Sequence, residues 1–275
     1  MNSSSGFCTA LLALCLLMPS HFARSHENPG VRGIDDARNH LIQESLPAVY
    51  RVEINGTVYD TKTKEVKKEN AFASSHGTAF GVSGDGLVLT KMHVLNPYMG
   101  KIKSKVIARD TFEYEDGDTI KLAITLTTRD GAKYNATIIG GDPSGDADLA
   151  LLQITTEREG GFPFLSLADD VLGYDVVITI GNPYVFRFSV GEGVVSSPDS
   201  VVFERRVMQT TALILPGSSG GPIIRVRDHK VVGMMESMYS PTPGAIANLG
   251  FGTPAPVLIE FLTNEPGRFK KAHPE

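Results

Sequence analysis

From residue 47 onward the chain alternates short apolar or two-periodic runs with clusters of Gly, Asp, Asn and Pro. The runs are "AVYRVEI", "TAFGV", "GLVLT", "KLAITLTT", "KYNATII", "DLALLQI", "VVITIG", "GVVSS", "SVVFERRVMQTT", "GPIIRV", "KVVGMMESMY" and "IANLGFGTP". Their richness in Val, Ile, Thr and Tyr, with turn residues between them, predicts about a dozen β-strands. Helical spacing occurs only near the ends. Ala37, Leu41, Ile42 and Leu46 share one face of "DDARNHLIQESL", and "APVLIEFL" can form a helix after the last strand. An all-β sandwich or barrel is therefore expected rather than a βαβ sheet. The polar, glycine-containing "TTEREGGFPFLSLA" divides the strands into two halves, one ending near Ile154 and the other starting near Asp170. Residues 56–76 and 95–118 read as long polar loops.

The first residues change this picture at one end. Phe7 to Met18 is an uncharged apolar run too short to anchor stably in a bilayer, and residues 1–23 read as a secretory signal cleaved after Ala23. The expected organisation is then a helical segment at 24–46, a β-rich domain at 47–262 with halves at about 47–155 and 170–255, and a polar tail at 263–275. Cys8 and Cys15 both lie in the signal, so the mature, exported chain, periplasmic or secreted, would hold no disulfide. No other window approaches membrane-spanning length. With 275 residues, 41% of them hydrophobic, the chain can bury a large core. A net charge of -5 with scattered Lys and Arg gives no footprint for nucleic acid.

The candidate chemistry centres on "LPGSSGGPII", in which Gly217, Ser219 and Gly221 form Gly-x-Ser-x-Gly. An α/β-hydrolase elbow would need a helix to follow and a histidine further along. Pro222 and "IIRV" oppose the helix, and only His229 and His273 come later. The upstream partners fit better. His93 follows the buried-strand pattern "GLVLT", and Asp148 opens "DLALLQI", giving the order His, Asp, Ser of chymotrypsin-type enzymes. A serine hydroxyl needs an imidazole to take its proton, and the imidazole needs a carboxylate to fix its tautomer. The amides of Gly217 and Ser219 are candidates for an oxyanion hole, because glycine tolerates the turn that aims them inward. Asp146 is the rival acid; Asp148 is preferred because it abuts the buried run. Asp142, Asp146 and Asp148 lack the glycine and closing glutamate of a calcium loop, and no Cys/His set suggests zinc, so no metal or cofactor is expected. His26, His40, His76, His229 and His273 read as surface or structural residues.

In order along the chain, "GTAFGVSGDGLVLTKMHV", "GGDPSGDADLALLQI", "VVITIGNPYVF", "GEGVVSS", "QTTALILPGSSGGPII", "VVGMMESM" and "LGFGTP" resemble the blocks of the HtrA/Deg family of trypsin-like serine proteases, over residues 45–262. The resemblance implies a double six-stranded antiparallel β-barrel and an ATP-independent endopeptidase of protein quality control. It places His93, Asp148 and Ser219 at the triad positions. It also allows a homotrimer, since trimers are common in that family. Thr211 and Ser218 stand where the family commonly has Asp and Asn, and the chain stops where many members continue into a PDZ domain. Leu213 and Ile214 would form the base of the primary specificity pocket, which favours small or medium aliphatic residues there. Met235, Glu236 and Ser237 would border the substrate strand. Two other readings are a proteolytically silent binding or chaperone-like module of the same fold and an esterase using the same site.

Overall fold

The strand-forming runs close on themselves twice. In the computed structural model, which describes residues 29–71, 75–95, 102–108, 111–114, 117–141, 148–202, 205–238 and 250–264, every strand pairing is antiparallel. The first barrel is formed by β1 (Val49–Tyr59), β3 (Ser75–Gly81), β4 (Leu87–Lys91), β9 (Leu149–Ile154), β8 (Lys133–Gly141) and β7 (Thr119–Thr127), in that spatial order, and a β1–β7 pairing closes it. The second closed barrel has the order β10 (Val176–Gly181), β11 (Ser189–Val202), β12 (Arg205–Thr210), β15 (Gly250–Pro254), β14 (Val231–Met238) and β13 (Pro222–Arg225). Helices are few: α1 (Pro29–Ser45), the single turn α2 (Met92–Leu95) and α3 (Ala255–Asn264). The residues of the expected signal, 1–23, lie outside the described residues, as does most of the tail. Among the described residues, no helix is long and apolar enough to cross a membrane.

The two expected loops are partly strands. Residues 56–76 contain the end of β1, the short strand β2 (Val66–Lys68) and the start of β3. The 95–118 segment contains β5 (Ile102–Ala108) and β6 (Thr111–Tyr114), which extend the sheet outward from β7. Strands added at a sheet edge need less apolar patterning, because backbone hydrogen bonds rather than core burial fix them.

Alternation along β4 and β9 decides where the barrels meet. Val88 on β4 and Ala150, Leu152 and Ile154 on β9 point into the first barrel. Leu87 and Leu89, with Leu149 and Leu151, pack instead on Ile178, Ile180, Ile224, Val231 and Met234 of the second barrel, together with Leu258 and Leu262 of α3. A strand buried on both faces reads as an uninterrupted apolar run, which is the reason "GLVLT" and "DLALLQI" stand out in the sequence. The second barrel has its own interior of Val177, Val195, Met208, Ile214, Ile223, Val232 and Met235.

One ionic cluster braces the second barrel. Arg225 is only 3% exposed and donates to Asp228, Asp175 and Asp170 at 2.6, 3.1 and 3.0 Å. Its hydrogen bonds are the first cause that holds the Asp228 and Asp170 carboxyls below the usual range. Such a depressed folded-state value stabilises above the unfolded value of about 3.9, and the gain is lost as pH falls through the folded value. Arg225→Met is expected to lower Tm by several degrees at pH 7 and by distinctly less at pH 3, read by thermal denaturation at both values.

Candidate active site

The register of β4 against β9 pairs Lys91 with Leu149, so the residues that follow one strand and precede the other are neighbours. The amide of Met92 donates to the carbonyl of Asp148 at 3.1 Å, and α2 turns the next residue, His93, over the carboxylate. Both oxygens of Asp148 serve that one residue. Oδ1 accepts the His93 amide at 2.8 Å, and Oδ2 lies 2.6 Å from Nδ1. Asp148 holds a positive φ of 51°, a region that Asp tolerates better than most side chains and that recurs at functional sites. Burial pushes its carboxyl up, but the hydrogen bond and charge of His93, the charge of Lys91 and the His93 amide outweigh it and hold the group below the usual range. An ionised carboxylate accepts only, so Nδ1 is the nitrogen that donates to Asp148, and in the neutral imidazole Nε2 is left with the lone pair.

The loop before β13 comes from the other barrel. Thr78 on β3 donates its amide to the Ser219 carbonyl at 3.0 Å, and Gly220 sits so close to Thr78 and Thr90 that no side chain fits there. The peptide planes around Ser219 are fixed by their carbonyls. The Pro216 carbonyl accepts the Tyr184 amide at 3.0 Å, and the Ser218 carbonyl accepts the Gly221 amide at 3.0 Å. In a trans peptide the N–H points opposite to the C=O, so the amides of Gly217 and Ser219 are turned away from those bonds. Among the described residues neither amide has an acceptor. Gly217 reaches this geometry with φ of 97°, and a Cβ there would come within 2.5 Å of the Asn182 carbonyl. The Ser219 hydroxyl donates to the main-chain carbonyl of Glu236 at 2.5 Å rather than to His93. Ser218 is buried and fills the space beside Gly181.

A family model described as trypsin-like peptidase domain matches residues 77–234. The chain belongs to the trypsin-like peptidase family. It is also similar to a protein named "Probable periplasmic serine endoprotease DegP-like" of Chlamydia pneumoniae, 32% identical over 243 residues, 86% of this chain and 42% of that protein. A protein named "Magnetosome formation protease MamE" of Paramagnetospirillum magneticum is 31% identical over 70% of this chain and 24% of its own length. "Serine protease HTRA1" of Xenopus tropicalis is 28% identical over 83% of this chain and 43% of its own. The chain thus spans less than half the length of these relatives.

Within this trypsin-like peptidase the remaining expected site residues differ in exposure. Leu213 is 56% exposed, whereas Ile214 and Met235 are buried in the second barrel. Met235 packs behind the serine loop, beside Gly181 and Gly221. Glu236 is 13% exposed, and the side chain of Ser237 lies outside the described residues, as do Asp142 and Asp146. The Met235 amide and carbonyl bond to Gly221 and Gly220, and beyond it β14 continues against β15 on its other edge.

Sequence reasoning missed Thr78 and Asn182. Thr78 Oγ1 donates to the Gly217 carbonyl at 2.8 Å and accepts the Asn182 amide at 2.9 Å and its Nδ2 at 3.2 Å. That uses the full capacity of a hydroxyl. Asn182, entirely buried, also reaches the Tyr50 carbonyl and accepts the Phe188 amide. His76 brings its Nε2 to 3.0 Å from where a Cβ of Gly217 would be. A single polar residue inside a strand pattern gives no signal of such a role. Thr78→Val keeps the shape but strands the Gly217 carbonyl, and about 1–3 kcal/mol of stability should be lost per unsatisfied buried group. Peptidase activity should fall about tenfold to a hundredfold as the loop loosens, while Thr78→Ser retains most of both in urea unfolding and turnover measurements.

Proposed function

We propose that this peptidase is an ATP-independent serine endopeptidase that cleaves unfolded or damaged exported polypeptides through His93, Asp148 and Ser219. The observation that carries the reading is the 2.6 Å contact of His93 Nδ1 with Asp148 Oδ2, which leaves Nε2 as the basic nitrogen of a residue two positions after Lys91, whose amide lies against Gly220 of the serine loop. Rotation of Ser219 about χ1 releases its hydroxyl from the Glu236 carbonyl and turns it towards Nε2. Hydrogen bonds between catalytic groups commonly tighten only when substrate is bound. The oxygen then attacks the scissile carbonyl, His93 takes the proton and returns it to the leaving amine, and water hydrolyses the acyl-enzyme by the same route. The unclaimed amides of Gly217 and Ser219 hold the oxyanion, a contribution of roughly 2.7–4 kcal/mol per donor in comparable sites.

The substrate backbone docks along β14 beyond Met235, and the side chain before the scissile bond, small or medium and aliphatic, is received at the aliphatic pair Leu213 and Ile214. Export rests on the signal-like residues 1–23 and on relatives named as periplasmic. A silent binding module is the second reading, favoured by the resting bond of Ser219 to Glu236. Incubation with reduced, unfolded casein and sequencing of the products separates the two. Cuts after Val, Ala, Ile or Leu are expected, whereas intact casein, or cuts after Lys and Arg, would overturn the reading.

A further inference from the structure

Every residue of β4 is buried, and its odd-numbered face, with Leu87 and Leu89, meets the second barrel. Lys91 continues that face with no exposed surface. Strand alternation would place another aliphatic side chain there, and an ammonium in such a position is costly unless it is paired and fully hydrogen-bonded. Its Nζ donates to Thr253 Oγ1 on β15 at 2.6 Å and to Glu236 Oε2 on β14 at 3.1 Å. Thr253 Oγ1 in turn donates to the same carboxylate oxygen at 3.3 Å, and Arg205 Nη1 on β12 holds Oε1 at 3.2 Å. The Glu236 carboxylate is thus engaged by protein donors on both oxygens.

The main chain of Glu236 is part of the site, because its carbonyl holds the Ser219 hydroxyl. At the other end of the link, the strand that bears Lys91 leads directly into His93, and the Lys91 amide lies against Gly220. A buried ion pair is weak as a stabiliser, since apolar residues of similar volume often do as well or better. Stability therefore does not account for a lysine here, and its place between the histidine strand and the serine's resting carbonyl does.

We propose that Lys91 is a positioning residue for the serine site: its ammonium bridges the barrels to Glu236 and Thr253, fixing the carbonyl that receives the Ser219 hydroxyl relative to His93. The inference rests on the endopeptidase reading above. The bridge also sets the local field. The charged groups around it are Glu236 on β14, Arg205 on β12, Asp148 before β9 and His93 on α2. Loss of the ammonium favours a protonated imidazole, and loss of the Glu236 charge does the opposite.

The test is the rate of fluorophosphonate labelling against pH for the full chain, with Tm, in wild type, Lys91→Met, Glu236→Gln and the double variant Lys91→Met/Glu236→Leu. Lys91→Met should label about tenfold to a hundredfold more slowly, and so should the double variant even where its Tm equals or exceeds that of wild type. The midpoint of the labelling profile should move to higher pH in Lys91→Met and to lower pH in Glu236→Gln. If Lys91→Met fails to fold, the apolar double variant carries the test. A double variant that labels at the wild-type rate, or single variants whose midpoints stay in place, would overturn the role of Lys91. Wild type that does not label, or labelling that survives Ser219→Ala, would instead overturn the endopeptidase reading.

Discussion

Ser219→Ala should remove casein cleavage to background, a fall of about 10⁴–10⁶ in turnover, with Tm nearly unchanged. Among the described residues the hydroxyl makes a single hydrogen bond in the resting structure, to the Glu236 carbonyl, and the bonds that shape the loop are made by other groups. The turn is held by Thr78, by the Tyr184–Pro216 bond and by the Ser218–Gly221 bond, all of which survive the substitution. The variant should therefore still bind an unfolded polypeptide along β14 while leaving it intact. Turnover and a pull-down with reduced casein measure the two properties separately. Cleavage by Ser219→Ala at even a hundredth of the wild-type rate would move the nucleophile elsewhere.

Asp148→Asn is expected to have the second largest effect, a fall of roughly 10³–10⁴ in the rate of labelling and of peptide cleavage. Asparagine fits the space and tolerates the positive φ of 51° at this position, so the fold should persist. What changes is the partner offered to Nδ1. An amide can present its NH₂ to the ring, which would place the imidazole proton on Nε2, the nitrogen that has to accept the serine proton. The lost negative charge also removes support for the imidazolium that forms during attack. The pH dependence tests the same arrangement in the wild type. Proteolysis should rise with pH as the imidazole gives up its proton, and a flat profile between pH 5 and 8 would remove His93 as the base.

Much of this architecture is legible before any coordinates. Strands buried on both faces, such as β4 and β9, leave uninterrupted apolar runs, and the chemistry-bearing residues His93 and Asp148 stand directly beside them. The glycines around Ser219 mark a loop in which backbone must approach backbone, and Gly217 and Gly220 do adopt positive φ. Other features leave no local trace. Thr78 and Lys91 are polar residues inside strands, and only the packing of one barrel on the other shows that they face buried acceptors rather than water. Leu213 and Ile214 are adjacent apolar residues that the segment after β12 turns in opposite directions, one to solvent and one to the core. The 95–118 segment reads as a loop because β5 is held to β6, and β6 to β7, by main-chain hairpin pairing at a sheet edge, which apolar patterning does not report.

The central claim is that His93, held by Asp148, activates the hydroxyl of Ser219. It is tested most directly by treating the folded protein with a fluorophosphonate and locating the adduct by tandem mass spectrometry. The account predicts one phosphonylated residue, Ser219, with no adduct there in His93→Ala. No adduct on the folded wild type, an adduct on another serine such as Ser218, or undiminished labelling of His93→Ala would contradict it.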